Sequence, residues 1–475
     1  MAQNDDLTRR DVMKLAGAAG ITAAAVTTAA TVAGPGFVKA HAQSNQIRYG
    51  LIGTGSRGTY LLSRLAKIDN GHCAALCDLD ANSLDKAASV IGTNPKKYND
   101  YRELLADKNV DAAIVAVPLY EHFPVTRDAL QAGKHVFCEK SLVFKPEEVH
   151  ALRGLAPQHG KQVLQVGLQR RYSHYFQATR QMVEKGILGD VTHIHAMWHR
   201  NPGWVMRPGG KSNPRNWRLF REFSGGLTAE LASHQVDVAD WMFGAQPEFV
   251  MGLGGLDTWK NDGRDIFDNI QLIFQYPGGR KMTFSAISTN SHCPFLGASR
   301  PEFGICIMGT AGAVEINIGD GQKTLPTALW YREPRPTSIS PATEKTITEA
   351  GATFALAGPR KGLPIRMPQY EVDKDNDSFI TRELKYARLW LYQKGVMIPE
   401  EDVNPVDTEL QSFFHDSMTG GHPKADMEVG LADSTAVILA NVAMDENRRV
   451  YFNEIQNLGK DKVNDALKEE AKHTA

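Results

Sequence analysis

The sequence predicts an α/β protein with an N-terminal doubly wound parallel sheet and a C-terminal α+β domain that contains a large, mostly antiparallel sheet. Two observations support this fold class. Before residue 140, short apolar runs alternate with segments of helical spacing, which is the pattern of βαβ units. After residue 164, one long apolar run and several shorter ones are separated by turns rich in glycine, as in antiparallel sheets.

The N-terminal elements follow one another as strand and helix. A β-type run at residues 47–52 precedes a helix at 59–68 and a second strand at 72–76. Parallel strands require a crossover of this kind. The same alternation continues with helices at 83–90, 101–106 and 124–131 and with strands at 111–117 and 135–138.

The C-terminal elements begin with a helix at residues 175–185 and a long strand at 191–199. Further strands are predicted at 249–253, 269–274, 281–286, 304–308 and 313–318, and late helices at 378–394, 406–418 and 431–444. We therefore divide the chain into a leader (1–42), an α/β domain (43–164), an α+β domain (165–455) and a charged tail (456–475).

The first 42 residues are typical of an export signal. Arg9 and Arg10 precede a weakly apolar stretch rich in Ala, Thr and Gly, and Ala40-His41-Ala42 is typical of a cleavage site. These are the marks of the twin-arginine route, which moves folded proteins. The stretch is too weakly apolar for a stable membrane anchor. We expect a periplasmic or otherwise exported protein that interacts with the twin-arginine export machinery.

Composition and charge are those of an ordinary globular protein. Hydrophobic residues make up 42% of the chain and charged residues 23%, and the formal net charge is −1. This balance argues against nucleic acid as a partner. The five cysteines lack the short paired spacings of a disulfide framework.

Two patterns that resemble metal sites are incomplete, and we expect no metal. His193, His195 and His199 alternate along the predicted long strand without a nearby acid or cysteine to complete a set. Residues 373–384 begin like a calcium loop but carry Ser378 at its glycine position and Leu384 at its final glutamate position.

The strongest functional motif is a glycine loop between the first predicted strand and the helix after it, Gly53-Thr54-Gly55-Ser56-Arg57-Gly58. In this G-x-G-x-x-G pattern, Gly53 permits the tight turn, Gly55 lets the backbone approach a pyrophosphate, and Gly58 allows close packing of the helix. Asp78 lies 20 residues after Gly58, at the end of the second strand, where it is placed to accept hydrogen bonds from ribose hydroxyls. A carboxylate there repels a 2′-phosphate, so we predict a Rossmann domain that binds NAD in preference to NADP.

A second set of motifs surrounds the end of the strand at 135–138. Glu139-Lys140 follows that strand at the edge of the sheet where ligands bind. The runs AVPLYEH at 116–122 and AGKHVFCEK at 132–140 resemble the Gfo/Idh/MocA oxidoreductase family, whose signature at this point is Glu-Lys-Pro. That family includes glucose–fructose oxidoreductase, inositol dehydrogenase and NAD-dependent glycosidases. Similar runs recur at 167–171, 186–191, 309–312 and 422–426.

The resemblance implies a site. Besides the glycine loop and Asp78, it implies cofactor binding by Pro118, His122, Glu139, Lys140 and Gln169. It also implies that Lys140, Glu230 and His234 flank the carbinol that is oxidised. Two departures from the family are Ser141, in place of proline, and Glu230, in place of the aspartate of an Asp-x-x-x-His motif. The extra methylene of Glu230 moves its carboxylate by roughly an ångström, which matters for positioned catalysis.

The segment 227–237 is predicted to be helical. On a helix, Glu230 and His234 share a face and Asp237 lies close to it. A carboxylate beside an imidazole can orient it and raise its basicity, as a general base requires. We predict His234 as the base, Lys140 as the group that orients the hydroxyl and relays its proton, and Glu230 as a substrate binder or an orienter of His234. An ion pair on a helix surface would give the same pattern.

Residues 200–223 combine tryptophans and arginines among prolines and glycines. Aromatic faces and guanidinium groups suit sugar rings and hydroxyls, or an acidic sugar. A basic surface loop or a subunit contact would have the same composition. The predicted substrate-binding residues are Arg171, Tyr172, Trp217, Arg218 and Asp237.

These features together predict an exported NAD-dependent oxidoreductase that acts on a hydroxyl of a sugar or cyclitol. Spent cofactor is not easily exchanged outside the cytoplasm, so we expect NAD to stay bound and to be recycled in each turnover. The alternatives are a redox-neutral NAD-dependent glycoside hydrolase, which oxidises, eliminates, hydrates and re-reduces, and a catalytically inactive sugar-binding protein. The expected ligand is a small-molecule sugar, cyclitol or glycoside, and the resemblance implies a homo-oligomer.

Overall fold

The structure, a computed structural model, describes most of the chain from residue 46 onward. The described ranges are 46–155, 162–200, 204–290, 303–317, 327–332, 346–349, 352–355, 363–365, 388–397 and 403–468. The predicted leader, the calcium-like run at 373–384 and Cys293 lie outside the described residues. The described residues belong to one compact unit, Asn45–Ala475, and the predicted domain boundaries stay predictions.

The first sheet contains six parallel strands. They are β1 (Ile47–Ile52), β2 (Gly71–Cys77), β3 (Lys96–Tyr98), β4 (Ala112–Val115), β5 (His135–Cys138) and β6 (Leu164–Val166). Their order in the sheet is β3-β2-β1-β4-β5-β6, so the direction of winding reverses between β1 and β4. Ligands of doubly wound sheets bind at the carboxyl ends of the strands beside such a reversal.

A helix follows each of the first five strands. These helices are α1 (Ser56–Leu65), α2 (Ala81–Ile91), α3 (Tyr101–Ala106), α4 (His122–Gln131) and α5 (Pro146–Leu155). The helical spacing of Leu61, Leu62 and Leu65 places all three on the buried face of α1, in one apolar cluster with Leu51 of β1. Each such side chain contributes roughly 1.5–3 kcal/mol by leaving water.

Among the described residues, the second sheet contains nine strands: β7 (Val191–His199), β8 (Phe249–Gly255), β9 (Asn269–Tyr276), β10 (Arg280–Ile287), β11 (Phe303–Gly309), β12 (Gly312–Asn317), β13 (Thr327–Arg332), β16 (Leu363–Pro364) and β17 (Val450–Tyr451). Their order in the sheet is β16-β13-β12-β11-β7-β10-β9-β8-β17. Of the strand pairs in the described residues of this sheet, only β7 and β10 are parallel, so the sheet is mostly antiparallel and the predicted fold class is confirmed. Two further strands, β14 (Thr346–Glu349) and β15 (Ala352–Ala355), form a separate hairpin.

The remaining α-helices of the described chain are α6 (His174–Glu184), α7 (Ser233–Phe243), α8 (Arg388–Gln393), α9 (Pro405–Thr419), α10 (Met427–Glu446) and α11 (Val463–Lys468). Within the described residues, α10 is long and apolar enough to cross a membrane by length and composition, and 72% of its apolar window is buried inside the protein. It packs against β8 and α7, so its apolar surface belongs to the core. In the segment predicted as a charged tail, α11 packs against α5 and Ala466 is buried.

The two faces of the second sheet differ. On β9, Ile270, Leu272 and Phe274 are buried and face the core, as the period of two along a strand requires. On the opposite face, Leu253 is 67% exposed and Ile273 is 43% exposed. This outer face carries a shallow cavity of about 820 Å³.

Candidate active site

The glycine loop joins β1 to α1, and its three glycines have different reasons to be glycine. Gly53 has φ of +90°, and a β-carbon there would lie 2.6 Å from the carbonyl oxygen of Ala116. A β-carbon at Gly58 would overlap the carbonyl oxygen of Gly53. At Gly55 a β-carbon would meet no atom within 4 Å. The fold therefore requires glycine at 53 and 58, whereas at 55 the open space suits the close approach of a ligand.

The start of α1 is open to an anion. Gly55 is its N-cap residue and supplies no side-chain cap, so the first N–H groups of the helix lack the partner that a serine or aspartate cap would give. The positive end of the helix macrodipole also favours negative charge there. The loop and the helix start therefore fit a pyrophosphate.

Asp78 holds the glycine loop in place. Its Oδ2 accepts hydrogen bonds from the backbone N–H of Thr54 (2.7 Å) and from the Thr54 hydroxyl (2.9 Å). Its Oδ1 accepts from the backbone N–H of Asp80 (2.9 Å). A carboxylate has about four acceptor positions, so about one remains for a ribose hydroxyl.

One cavity of about 570 Å³ extends from the glycine loop to the predicted catalytic residues. Its lining comes from the carboxyl ends of β1, β2, β4 and β5, from β7, and from segments of the second domain. Ten of the predicted cofactor-binding residues line it; Thr54 and Gly58 support the loop instead. The lining residues predicted from sequence are Gly53, Gly55, Ser56, Arg57, Asp78, Pro118, His122, Glu139, Lys140, Gln169, Trp217, Arg218, Glu230 and His234.

Arg57 links the glycine loop to the end of β5. Its Nε donates to Oε1 of Glu139 at 2.6 Å, and its Nη2 donates to Oε1 of Gln169 at 3.4 Å. The Glu139 side chain is 9% exposed, so this ion pair is only partly screened by water. This ion pair lines the cavity and links the predicted pyrophosphate site to the residue that precedes Lys140.

His122 fastens two loops that end parallel strands. One ring nitrogen lies 2.7 Å from the carbonyl oxygen of Ser141, and the other lies 3.0 Å from that of Val117. Ser141 stands where the family has proline, and its hydroxyl lies 3.5 Å from Oδ2 of Asp433 on α10. Ser141 thus contacts α4 through its carbonyl oxygen and donates to α10 through its hydroxyl.

The carbonyl groups of a π-helical turn hold Lys140. The turn spans Thr228–Ala232, directly before α7. The Lys140 ammonium donates to the carbonyl oxygens of Ala229 (3.0 Å) and Glu230 (2.8 Å). Two of its three protons are thus used, and the third is free to reach a hydroxyl in the cavity. Burial lowers the pKa of Lys140, and the carboxylates of Glu230 and Glu139 oppose that effect.

Glu230 pairs with an arginine from the preceding loop. Its Oε2 accepts from Nε of Arg218 at 3.0 Å. Burial raises the pKa of Glu230, but the charges of Arg218 and Lys140 outweigh it, and the pKa lies below its ordinary value. Glu230 is therefore ionised at neutral pH and can accept a hydrogen bond from a substrate hydroxyl.

The surroundings of His234 do not match one of the two roles predicted for Glu230, that of orienting the imidazole. Its Nδ1 is buried and has no hydrogen-bond partner among the described residues. The carboxylate of Glu230 bonds to Arg218, and that of Asp237 bonds to Arg171. Burial and the positive charges of Lys140, Arg170 and Arg57 hold the pKa of His234 well below its ordinary value. The π-helical turn explains the difference, because its i→i+5 hydrogen bonds put more residues into the turn and so shift Glu230 and His234 from the i, i+4 alignment of an α-helix.

Three predicted substrate-binding residues lie outside the lining of this cavity as the described chain places them. Arg171 donates from Nε to Oδ1 of Asp237 at 2.7 Å, in an ion pair whose side chains are 12% and 2% exposed. Tyr172 is buried, with 1% exposure. Their substrate roles stay predictions.

The lining also includes Asp80, Ser83 and Trp198, which the sequence prediction missed, and Pro214 and Arg215 from the segment 200–223 that was predicted to suit sugars. Trp198 lies on β7 with its ring 5.7 Å from that of His234. Its place at the end of the long predicted strand could have indicated a role in the site. The histidines of that strand were considered only as possible metal ligands.

Two of the histidines on β7 form hydrogen bonds to side chains of the neighbouring strand. His195 bonds to the hydroxyl of Thr283, and Nε2 of His199 lies 3.0 Å from that of Ser285 on the neighbouring β10. Within the ranges that the structure describes, no group of three or more histidine, cysteine or acidic side chains is placed to hold a metal ion.

A glycine loop of the dinucleotide type that opens onto a lysine, a carboxylate and an imidazole is the arrangement of an NAD(P)-dependent oxidoreductase. Residues 47–168 match the NAD-binding Rossmann fold of the Gfo/Idh/MocA oxidoreductases, and residues 176–315 match their C-terminal domain. The chain belongs to the Gfo/Idh/MocA family.

Relatives and solved structures agree with this assignment. The inositol 2-dehydrogenase of Salmonella typhimurium (strain LT2) is 28% identical over 197 residues, which is 41% of this chain and about half (54%) of that protein's length. Scyllo-inositol dehydrogenase of Lactobacillus casei, solved with NAD(H) and scyllo-inositol, has a TM-score of 0.57 at 19% identity over 86% of this chain and 99% of that one. Aldose-aldose oxidoreductase of Caulobacter crescentus, complexed with glycerol, has a TM-score of 0.62 at 19% identity over the same shares of the two chains.

Proposed function

We propose that this protein is an exported NAD-dependent oxidoreductase that oxidises a hydroxyl of a sugar or cyclitol and keeps its cofactor bound between turnovers. The observation that carries the proposal is the single cavity that joins the glycine loop to Lys140, Glu230 and His234. The cyclitol dehydrogenases among its relatives support the substrate class.

At the carbinol, one side chain accepts the hydroxyl proton and another donates a hydrogen bond to the oxygen. NAD, when bound, supplies the acceptor for the hydride that leaves the carbinol carbon. His234 is neutral at physiological pH because its pKa is depressed, so it is free to take the hydroxyl proton. The free proton of Lys140 donates to the carbinol oxygen, which orients it and stabilises the charge that develops there.

Glu230 has a different role, which is to bind the substrate. Its ionised carboxylate, held by Arg218, accepts a hydrogen bond from a hydroxyl of the substrate. A substrate that lacks this hydroxyl would leave the buried Glu230 carboxylate without that hydrogen bond. The free energy lost by leaving the charge unsatisfied exceeds the net stabilisation that the hydrogen bond itself gives. We therefore assign Glu230 and Arg218 to substrate choice, with Trp217 beside them, because its ring lies 4.1 Å from the Arg218 guanidinium.

The preference for NAD over NADP rests on acidic side chains. Asp78 and Asp80 both line the cavity at the end of β2. A 2′-phosphate would bring about two further negative charges close to these two carboxylates. NAD lacks that group, and its ribose hydroxyls can donate to the acceptor position left on Asp78.

The bound-cofactor part of the proposal rests on the leader and on one structural neighbour. The twin-arginine signal predicted at 1–42 would deliver the folded protein to a compartment where free NAD is scarce. The aldose-aldose oxidoreductase is named for acting on two aldoses. A cycle that oxidises one sugar and reduces another needs no exchange of cofactor.

We further propose that two copies of the chain pair through the outer face of the second sheet. Met251, Leu253 and Ile273 form an exposed apolar surface there and line the 820 Å³ cavity. Exposed apolar patches of this kind mark interfaces in soluble proteins.

The test uses the full-length protein, purified after export and incubated without added cofactor. We expect co-purifying NAD(H), and coupled oxidation and reduction when two free sugars or cyclitols are supplied. Release of the aglycone from a glycoside would identify the redox-neutral hydrolase instead. Binding of sugars with no turnover, unchanged in Lys140→Ala, would identify a binding protein, and freely exchanging NAD would refute the bound cofactor.

A further inference from the structure

A rigid turn of the second domain lines the cofactor end of the cavity. Residues Pro214–Leu219 form a short 3-10 helix. Pro214 and Arg215 line the same cavity as Gly55, Asp78 and Asp80. The surrounding loop was predicted to suit a sugar or to form a basic surface or subunit contact. This part of it lines the cavity together with the residues that flank the predicted adenosine ribose.

Arg215 differs from three other basic residues of its loop in its contacts. Lys211, Arg218 and Arg221 each form an ion pair with a carboxylate. The Arg215 guanidinium has no hydrogen-bond or ion-pair partner among the described residues, although its positive charge acts on Asp80. The cavity lining thus includes an exposed arginine whose guanidinium donates to no described residue and is open to a ligand.

The position of Arg215 is fixed by its neighbours. The Asn213 side chain accepts a hydrogen bond from the backbone N–H of Arg215 at 3.0 Å and so caps the turn. Asn216, which is 2% exposed, donates to the carbonyl oxygens of Arg207 (2.9 Å) and Gly210 (2.8 Å). Trp217 packs against the apolar cluster of Leu119, Ala229 and Val437. The backbone that carries Arg215 is therefore ordered before any ligand arrives.

We propose that Arg215 is a cofactor-binding residue that holds the adenosine side of the dinucleotide from the face opposite the glycine loop and slows its release. A guanidinium binds phosphate oxygens through two parallel hydrogen bonds. The dinucleotide would then lie between the start of α1 and the Asn213–Leu219 turn. This inference rests on the proposed function, because it explains how NAD is retained between turnovers.

The test compares Arg215→Ala with Arg207→Ala in the full-length protein. Arg207 belongs to the same loop and is exposed, and its side chain does not line the cavity in the described structure. The rate of NADH release is followed by the loss of nicotinamide fluorescence after addition of a trapping excess of NAD. Loss of charge-assisted hydrogen bonds should speed release by about ten- to a hundredfold in Arg215→Ala and leave Arg207→Ala unchanged.

Binding of ADP-ribose, which lacks the nicotinamide, locates the effect. Arg215→Ala should weaken ADP-ribose binding by the same factor as NADH binding, with an unchanged melting temperature for the nucleotide-free protein. Equal release rates in the two variants would overturn the inference, as would an effect confined to NADPH. If the wild-type protein binds neither NADH nor ADP-ribose, the proposed function fails, whereas wild-type binding with no effect of Arg215→Ala overturns this inference alone.

Discussion

Gly55→Ala should separate the stability of the glycine loop from its ability to bind a dinucleotide. Gly55 has φ of −64° and ψ of −167°, which alanine adopts without strain, and its β-carbon would meet no protein atom within 4 Å. Replacing a glycine in such a conformation stabilises a protein by roughly 0.4–1 kcal/mol, because the unfolded chain loses freedom. We therefore expect the nucleotide-free variant to be at least as stable as the wild type.

The same methyl group would project into the space that we assign to the pyrophosphate. If it displaces the phosphates from the N–H groups of α1, the loss of one charge-assisted hydrogen bond costs about 1.5–3 kcal/mol, or about ten- to a hundredfold in affinity. The assay is a fluorescence titration with NADH on nucleotide-free protein, paired with thermal unfolding. Gly58→Ala is the contrast, because its β-carbon would overlap the Gly53 carbonyl and should reduce stability and binding together. Normal NADH binding by Gly55→Ala would refute our placement of the cofactor.

Three further predictions concern charge and assembly. The depressed pKa of His234 keeps it neutral in the folded state, whereas the unfolded chain takes up a proton below about pH 6.5, so stability should fall as the pH drops below that value. His234→Gln should reduce this slope by up to about 1.4 kcal/mol per pH unit in denaturant titrations, and an unchanged slope would contradict the burial of a neutral imidazole. Arg218→Met removes the main charge that opposes burial of Glu230, so the pKa of Glu230 should rise and the acid limb of the kcat/KM profile should move to higher pH; an unmoved limb would exclude Glu230 from the reaction. Leu253→Glu should leave the melting temperature nearly unchanged but convert the protein to monomers in light-scattering measurements, and persistent oligomers would exclude the outer sheet face as the interface.

Elements with strong local signals were predicted well. The strands at 47–52, 135–138 and 191–199 have their predicted bounds, since each is an apolar or β-favouring run that ends at a clear change of composition. The first helix begins three residues earlier than predicted, at Ser56, because the end of the glycine loop is already its first turn. Strands β16 and β17 were missed because each has only two residues, and tertiary pairing rather than local pattern creates them.

Most residues of the candidate site were predicted from the sequence, but the contacts between them were not. Spacing alone suggested that Glu230 and His234 would pair on one helix face. The π-helical turn at Thr228–Ala232 has no spacing signal, and the partner of Glu230, Arg218, comes from a different segment of the chain. The position of Arg215 against the end of β2 likewise depends on how the chain folds back, which local sequence patterns do not encode.

The central claim is that NAD bound in this cavity accepts hydride from the carbinol of a sugar or cyclitol. The most direct test incubates the purified protein, with no cofactor added, with a panel of sugars and cyclitols deuterated at their carbinol carbons. The bound cofactor is then released by denaturation, and its mass is measured by mass spectrometry. We predict one deuterium in the released nicotinamide nucleotide for at least one substrate, and none with Lys140→Ala. Absence of label in the wild-type cofactor across the panel would contradict the account.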